Sequence, residues 1–238
     1  MTWRKCLVRG SVFSGLGGMV LTGLLYQVWT NPVATRRQVL DKLGRRFPAA
    51  LVSVESARLR LLGGIAVSEL RMARRDDLDK LDFLYVPAAV FYHDKEHLLQ
   101  GLVGIRKVEL CRPRLRLVRE RDGRWNVAGL AAPADLGEPV PTFVVQQGTI
   151  LFEDRSVPGI PVVEVKDVNL TVVNDPLPVL VVQGTGQTDV AGPVRISGRF
   201  LRQTGAGTLN VELPEVPVGP DLVQRLSHCC PDLAVHLR

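Results

Sequence analysis

The chain has 238 residues, 46% hydrophobic and 23% charged, a globular composition that argues against disorder and leaves room for one large or two small domains. Aromatics make up only 5%, few for an aromatic-lined pocket, and the 22 Gly and 16 Pro punctuate short aliphatic runs, the pattern of many strands joined by turns. The net charge of +6 permits an anionic partner. However, Arg112, Arg114, Arg116 and Arg119 alternate with Leu and Val as on a solvated sheet face, without interleaved aromatics, so nucleic acid is not an expected partner.

Residues 10–35 carry no charge, and residues 12–29 are dominated by Val, Leu, Phe, Met and Gly. About 20 such residues at about 1.5 Å each span a hydrocarbon core of about 30 Å. Tyr26 and Trp29 sit where an interfacial belt belongs. The run is longer than the apolar region of a cleaved signal peptide, and Trp29-Thr30-Asn31-Pro32 is a poor cleavage site, so an uncleaved transmembrane signal anchor is predicted over residues 10–30. Arg4, Lys5 and Arg9 precede it, and Arg36, Arg37, Lys42, Arg45 and Arg46 follow; counted alone, these charges put the C-terminal side in the cytoplasm. Ser14, Gly18 and Thr22 make a small-xxx-small face on the anchor.

Val39, Leu40, Leu43 and Phe47 form one apolar stripe at helical spacing, which predicts an interfacial amphipathic helix within residues 31–48 whose basic residues meet lipid phosphates, ended by Pro48. Beyond it the period becomes two. Val52-Ser53-Val54, Leu59-Arg60-Leu61 and Arg114-Leu115-Arg116-Leu117 switch polarity at every residue, as strands with one greasy and one wet face do. Asp122-Gly123 signals a two-residue hairpin returning through residues 125–127. Further strands are expected at residues 143–147, 149–153, 162–173, 179–183, 194–201 and 208–213. Short turns between them predict an antiparallel meander without parallel crossovers. A short helix is expected at residues 221–228. Among Cys6, Cys111, Cys229 and Cys230, no spacing makes a metal or redox motif.

Pro113-Arg114-Leu115-Arg116-Leu117, closing with Asp122-Gly123-Arg124-Trp125-Asn126-Val127, resembles the P-x-L-x-L-x-R-x-x-D-G-x-W-N signature of bacterial AsmA-like proteins. Leu61-Leu62-Gly63-Gly64-Ile65, Leu98-Leu99-Gln100-Gly101-Leu102-Val103, Gly148-Thr149-Ile150-Leu151-Phe152-Glu153-Asp154 and Ile196-Ser197-Gly198-Arg199-Phe200 are similar to further segments of that family. The resemblance covers roughly residues 10–213. It implies a mainly β fold, a curved antiparallel sheet forming a repeating β-groove related to chorein-type lipid-transfer bridges. It also implies a bacterial inner-membrane protein, with residues 1–9 in the cytoplasm, a β domain over residues 49–213 in the periplasm and a tail over residues 214–238. Its implied partners are phospholipid, the membrane and other envelope proteins, and its implied role is lipid transport or outer-membrane maintenance. Family members are usually much longer, and a groove this short does not span a periplasm by itself.

A sheet whose alternate residues make one apolar face can shield acyl chains, at roughly 0.8 kcal/mol for each CH₂ removed from water. Leu59, Leu61, Leu115, Leu117, Ile150, Phe152, Val168, Leu170, Val172 and Ile196 are the candidate lipid-binding residues; the alternative is that they pack against one another in a closed sandwich. His93-Asp94-Lys95-Glu96-His97 matches the H-x-x-E-H pattern of one zinc-protease class, which needs both histidines on one face of a helix spanning residues 91–100. The preceding residues 86–92 read as a strand, and extended positions i and i+4 lie about 13 Å apart, so a polar hairpin end is expected instead. Asp76-Asp77 reads as part of a solvated charged turn. With no nucleophile elbow, phosphate loop or CxxC, no catalytic residues, metal or cofactor are expected. A scaffold binding envelope proteins through strand edges is the alternative to a lipid carrier.

Overall fold

The computed structural model describes residues 31–214 apart from 61–63, 78–80, 94–103, 133–139, 158, 160–161, 175–177, 190–191, 203 and 205. The expected anchor over residues 10–30 and short helix over residues 221–228 lie outside the described residues. Within them, the mainly β expectation holds: one helix, α1 (Pro32–Arg46), precedes a single sheet of 11 strands.

Helix α1 starts at Pro32, about two turns before its apolar stripe begins at Val39. Asn31 caps it by accepting a hydrogen bond from Val33 N (3.0 Å), and Pro32 occupies the first turn, where no amide donor is needed. Val39 is buried, and Leu40, Leu43 and Phe47 pack on the same core as Val54, Ala57 and Val67. The stripe expected to enter a membrane interface is therefore occupied by the sheet. Burying it against β1 and β2 removes the same surface from water without a bilayer. No described helix is long and apolar enough to cross a membrane.

The strands are β1 (Ala50–Ser53), β2 (Ser56–Arg60), β3 (Gly64–Arg74), β4 (Asp82–His93), β5 (Ile105–Cys111), β6 (Arg114–Arg119), β7 (Thr142–Asp154), β8 (Val163–Val173), β9 (Val179–Thr188), β10 (Gly192–Leu201) and β11 (Gly207–Glu212). Both β1 and β2 pair with β3, and the order then runs β3, β4, β5 with β6, β7, β8, β9, β10, β11. The sequence pattern alone implied a wholly antiparallel meander, and this needs correction: β7 runs parallel to both β5 and β6. The connection, residues 120–141, adds no strand among its described residues, and it buries Leu130 in the core cluster against which Val127 packs.

The Asp122-Gly123 turn does form. Asp122 Oδ1 accepts from Arg124 N (3.0 Å) and Gly123 takes a φ of +80°, which favours glycine. Its returning limb, however, is a single bridge between Arg119 and Trp125. Asn126 then takes the place of a partner strand for β6, with its Oδ1 accepting from Val118 N (2.9 Å) and its Nδ2 donating to Arg116 O (2.8 Å).

One irregularity crosses the sheet from strand to strand. Among the described residues, Glu69, Arg112, Gln147 and Asp167 are the four non-glycine residues with positive φ, between 49° and 53°. Each lies inside or between strands next to a residue of the apolar face. In β5–β6 and β7 the positions coincide, because Cys111 pairs with Gln146 and Arg114 with Thr149. At this crease the spacing of core-facing residues lengthens from two to three: Val67 to Leu70, Leu110 to Pro113, Val145 to Gly148, Val165 to Val168. The extra residue keeps the greasy face on one side while the strand bends. Because the same device recurs in neighbouring strands, the face stays continuous across the bend.

Candidate lipid-facing surface

Paired residues in a sheet share a face, so the strand registers decide which candidates belong together. Pairings link Leu59, Ile65, Phe91, Val108, Phe143, Val172, Val182, Gly198 and Leu209 into one row across the whole sheet. A second row holds Ala57, Val67, Ala89, Leu110, Val145, Leu170, Gly184, Ile196 and Val211. Beyond the crease, Leu115 pairs with Ile150 and Leu117 with Phe152, and Val168 pairs with Gly148. All nine described candidates therefore lie on one face: Leu59, Leu115, Leu117, Ile150, Phe152, Val168, Leu170, Val172 and Ile196. Leu61 lies outside the described residues.

The face has two parts. Over β1–β5 it is the core: Val86 is 0% exposed, and Ala57, Val67, Ala89, Phe91 and Val108 are buried with α1 and Leu130. Over β7–β11 no described helix lies on it, although Trp125 of the connection meets Phe152 edge-to-face with ring centroids 6.4 Å apart. Phe143 and Phe152 are exposed to 36% and 37%, and Leu209 and Val211 to 55% and 54%. Val168 and Val194 are the exceptions, both buried by their own neighbours. At Val168, close packing at the crease explains this. A Cβ added to Gly148 would stand 2.9 Å from Val145 Cγ1, so the valine already leans over that position. Among the described residues the candidates form neither a closed sandwich nor an enclosed cavity: Leu115 packs on the core and Val168 is buried, while those on β7–β10 otherwise make an open apolar surface that continues it.

The polar face alternates as expected. Arg116 contacts Glu153 (2.6 Å); the Arg119–Asp154 pair (3.5 Å), two residues beyond Leu117 and Phe152, instead closes the end of the apolar face. Arg155 and Arg116 together hold the Glu153 carboxyl below its ordinary pKa. Tyr85 and Tyr92 donate to Glu69 (2.9 Å) and Glu109 (2.7 Å), which raises both phenol pKa values. A concavity of about 540 Å³ lies across β7–β10, and most of its lining, including Gln146, Asn169, Thr171, Thr185, Arg195 and Ser197, belongs to this polar face.

A second concavity, of about 330 Å³, opens where β4 and β6 part below the pairs of Leu84 with Leu115 and Tyr85 with Arg114. Its arginines are engaged. Arg74 holds Asp76 through two 2.8 Å contacts, depressing that carboxyl to about 2, and donates to Asn126 O (2.9 Å). Arg155 is spent on Glu153, and Arg124 on Asp122. The cleft is a braced turn, and the Asp76-Asp77 segment belongs to it.

His93 is the last residue of the extended strand β4, so the helix that the zinc-protease pattern requires does not exist at residues 91–93; Asp94 to His97 lie outside the described residues. Burial, then the nearby Lys42 charge, lowers the His93 pKa, and its Nδ1 has no hydrogen-bond partner among the described residues. No described group of three His, Cys, Asp or Glu side chains is arranged to hold a metal. Sequence reasoning missed Phe143, Val145, Val182 and Leu209, which complete the apolar rows. Alternation within their own strands carried that signal, but only pairing assigns them to the same face. Compared with models of known protein families and with curated proteins, the chain matches none. The AsmA-like resemblance stands on its motif residues themselves.

Proposed function

We propose that this chain is a membrane-anchored, AsmA-like protein of a bacterial envelope that acts without catalysis, shielding phospholipid acyl chains on the apolar face of its sheet during lipid transport or outer-membrane maintenance. The observation that carries the reading is the apolar face over β7–β11, continuous with the core and left uncovered by any described helix. An exposed apolar surface of several strands' width costs free energy in water and marks a binding surface. Its lining is aliphatic and phenyl side chains nearly free of hydrogen-bonding groups, which suits hydrocarbon tails better than a polar ligand. The uncharged run at residues 10–35 would tether that surface beside a bilayer. A β-groove of AsmA-like type is the finer form of the fold that this reading adopts.

The test uses full-length protein extracted in mild detergent, with bound lipid quantified by mass spectrometry. Wild type and Thr171→Glu, on the polar face, are expected to carry phospholipid. Val172→Glu, one residue away on the apolar face, is expected to lose at least three quarters of it. No lipid in the wild type, or equal lipid in both variants, overturns the carrier reading and leaves the scaffold role, which the exposed edge strand β11 favours.

A further inference from the structure

The two edges of the sheet are unequal. At one, β1 and β2 are short, separated by Val54 and Glu55, guarded by Arg58 and Arg60, and packed by α1, the devices by which sheets avoid accidental pairing. At the other, β11 has every residue exposed, pairs only with β10 among the described residues, and carries no proline, bulge or basic side chain. Leu201 N donates to Ala206 O (2.7 Å); with the register of Arg195 to Glu212 and Arg199 to Thr208, the backbone groups of Thr208, Asn210 and Glu212 turn toward β10. Those of Gly207, Leu209 and Val211 point outward.

We propose that β11 is a dimerisation edge that pairs antiparallel with β11 of a second copy about a two-fold axis at Asn210. This register sets Leu209 against Val211, Thr208 against Glu212 and Asn210 against itself. Each pair lies on a single face, the outward amides of Leu209 and Val211 meet, and no like charges are opposed. Other register choices that shift by one residue put leucine opposite asparagine and break the face. Because the opposite edge is guarded, the association closes as a two-fold pair and cannot propagate as a filament. The apolar rows ending at Leu209 and Val211 then run unbroken into the second copy. The proposal does not rest on lipid carriage, since the pairing needs no ligand.

Disulfide trapping tests it in the full chain with its four native cysteines replaced by alanine. Asn210 and its symmetry mate would form a non-hydrogen-bonded pair with Cα atoms about 4.5 Å apart, within disulfide reach, whereas Thr208 from each copy would stand about 13 Å apart along the strands. Asn210→Cys is expected to give at least tenfold more covalent dimer than Thr208→Cys on a non-reducing gel. Leu209→Pro removes an outward amide while sparing the bonds to β10, so it is expected to yield a monomer by light scattering with an unchanged circular dichroism spectrum. A wild-type monomer, or equal trapping at both positions, overturns the proposal; residues beyond 214 or a different protein would then be what covers the edge.

Discussion

The two halves of the apolar face have the same strand chemistry and opposite environments. Phe91 and Val172 lie in one transverse row, yet Phe91 is buried under the layer of α1 and Leu130 while Val172 is only half-buried. The difference teaches that alternation fixes which side of a strand is greasy, but not whether anything covers it. Coverage comes from the elements that leave the sheet and return over it.

The largest expected effect compares those two positions directly. Phe91→Ala should destabilise the full chain by about 3–5 kcal/mol in denaturant unfolding, through lost transfer energy and a cavity. Val172→Ala should cost about 1 kcal/mol or less, because its side chain still meets water in the folded state. Similar losses at both sites would mean that the β7–β11 face is as well covered as the core.

Asn126→Ala is an intermediate case and probes the junction of the halves. It removes the acceptor for Val118 N and the donor for Arg116 O on the strand margin that β4 abandons. A loss of about 2 kcal/mol in thermal unfolding is expected, since a partly buried amide and carbonyl lose partners. A loss below about 0.5 kcal/mol would show that water replaces the side chain and that the DG-W-N element does not brace β6.

The smallest effect concerns the polar side. The pKa of Glu153 is lowered in the folded chain, first by Arg155 and then by Arg116. A depressed carboxyl contributes stability that is present above its unfolded pKa, about 4.3, and is lost as pH falls through the folded value. Between pH 5 and 3 the melting temperature of wild type should therefore fall more steeply than that of Glu153→Gln. The difference should stay under about 1 kcal/mol, because both ion pairs are partly exposed. Parallel curves would show that the arginines do not favour the ionised form.

The placement of the strands was legible where residues alternate without interruption. Leu115, Leu117, Ile150 and Phe152 read correctly as one face because their side chains repeat every second residue within a strand. The crease was not legible as such. The spacing of three at Val145 to Gly148 looks like the end of one strand and the start of another, so residues 143–147 and 149–153 read as two strands where β7 is continuous; the same spacing at Val165 to Val168 is hidden inside the strand expected at residues 162–173. The parallel pairing of β7 escaped for a related reason. Trp125 to Val127 look like a returning strand, and only the Asn126 side-chain bonds to β6 and the burial of Leu130 show that the chain leaves the sheet there for the core.

What the sequence by itself determined is local: the amphipathic helix within residues 31–48, the period-two faces, the turn at Asp122-Gly123 and the uncharged run at residues 10–35. Each follows from the residue's own conformational preferences and its near neighbours. Only tertiary structure decided that α1 covers β1 and β2, that β5 and β6 share β7, and that the face over β7–β11 is left open. Those outcomes depend on residues up to a hundred positions apart competing for the same surface, and hydrophobic attraction, being non-directional, writes no partner into either sequence segment.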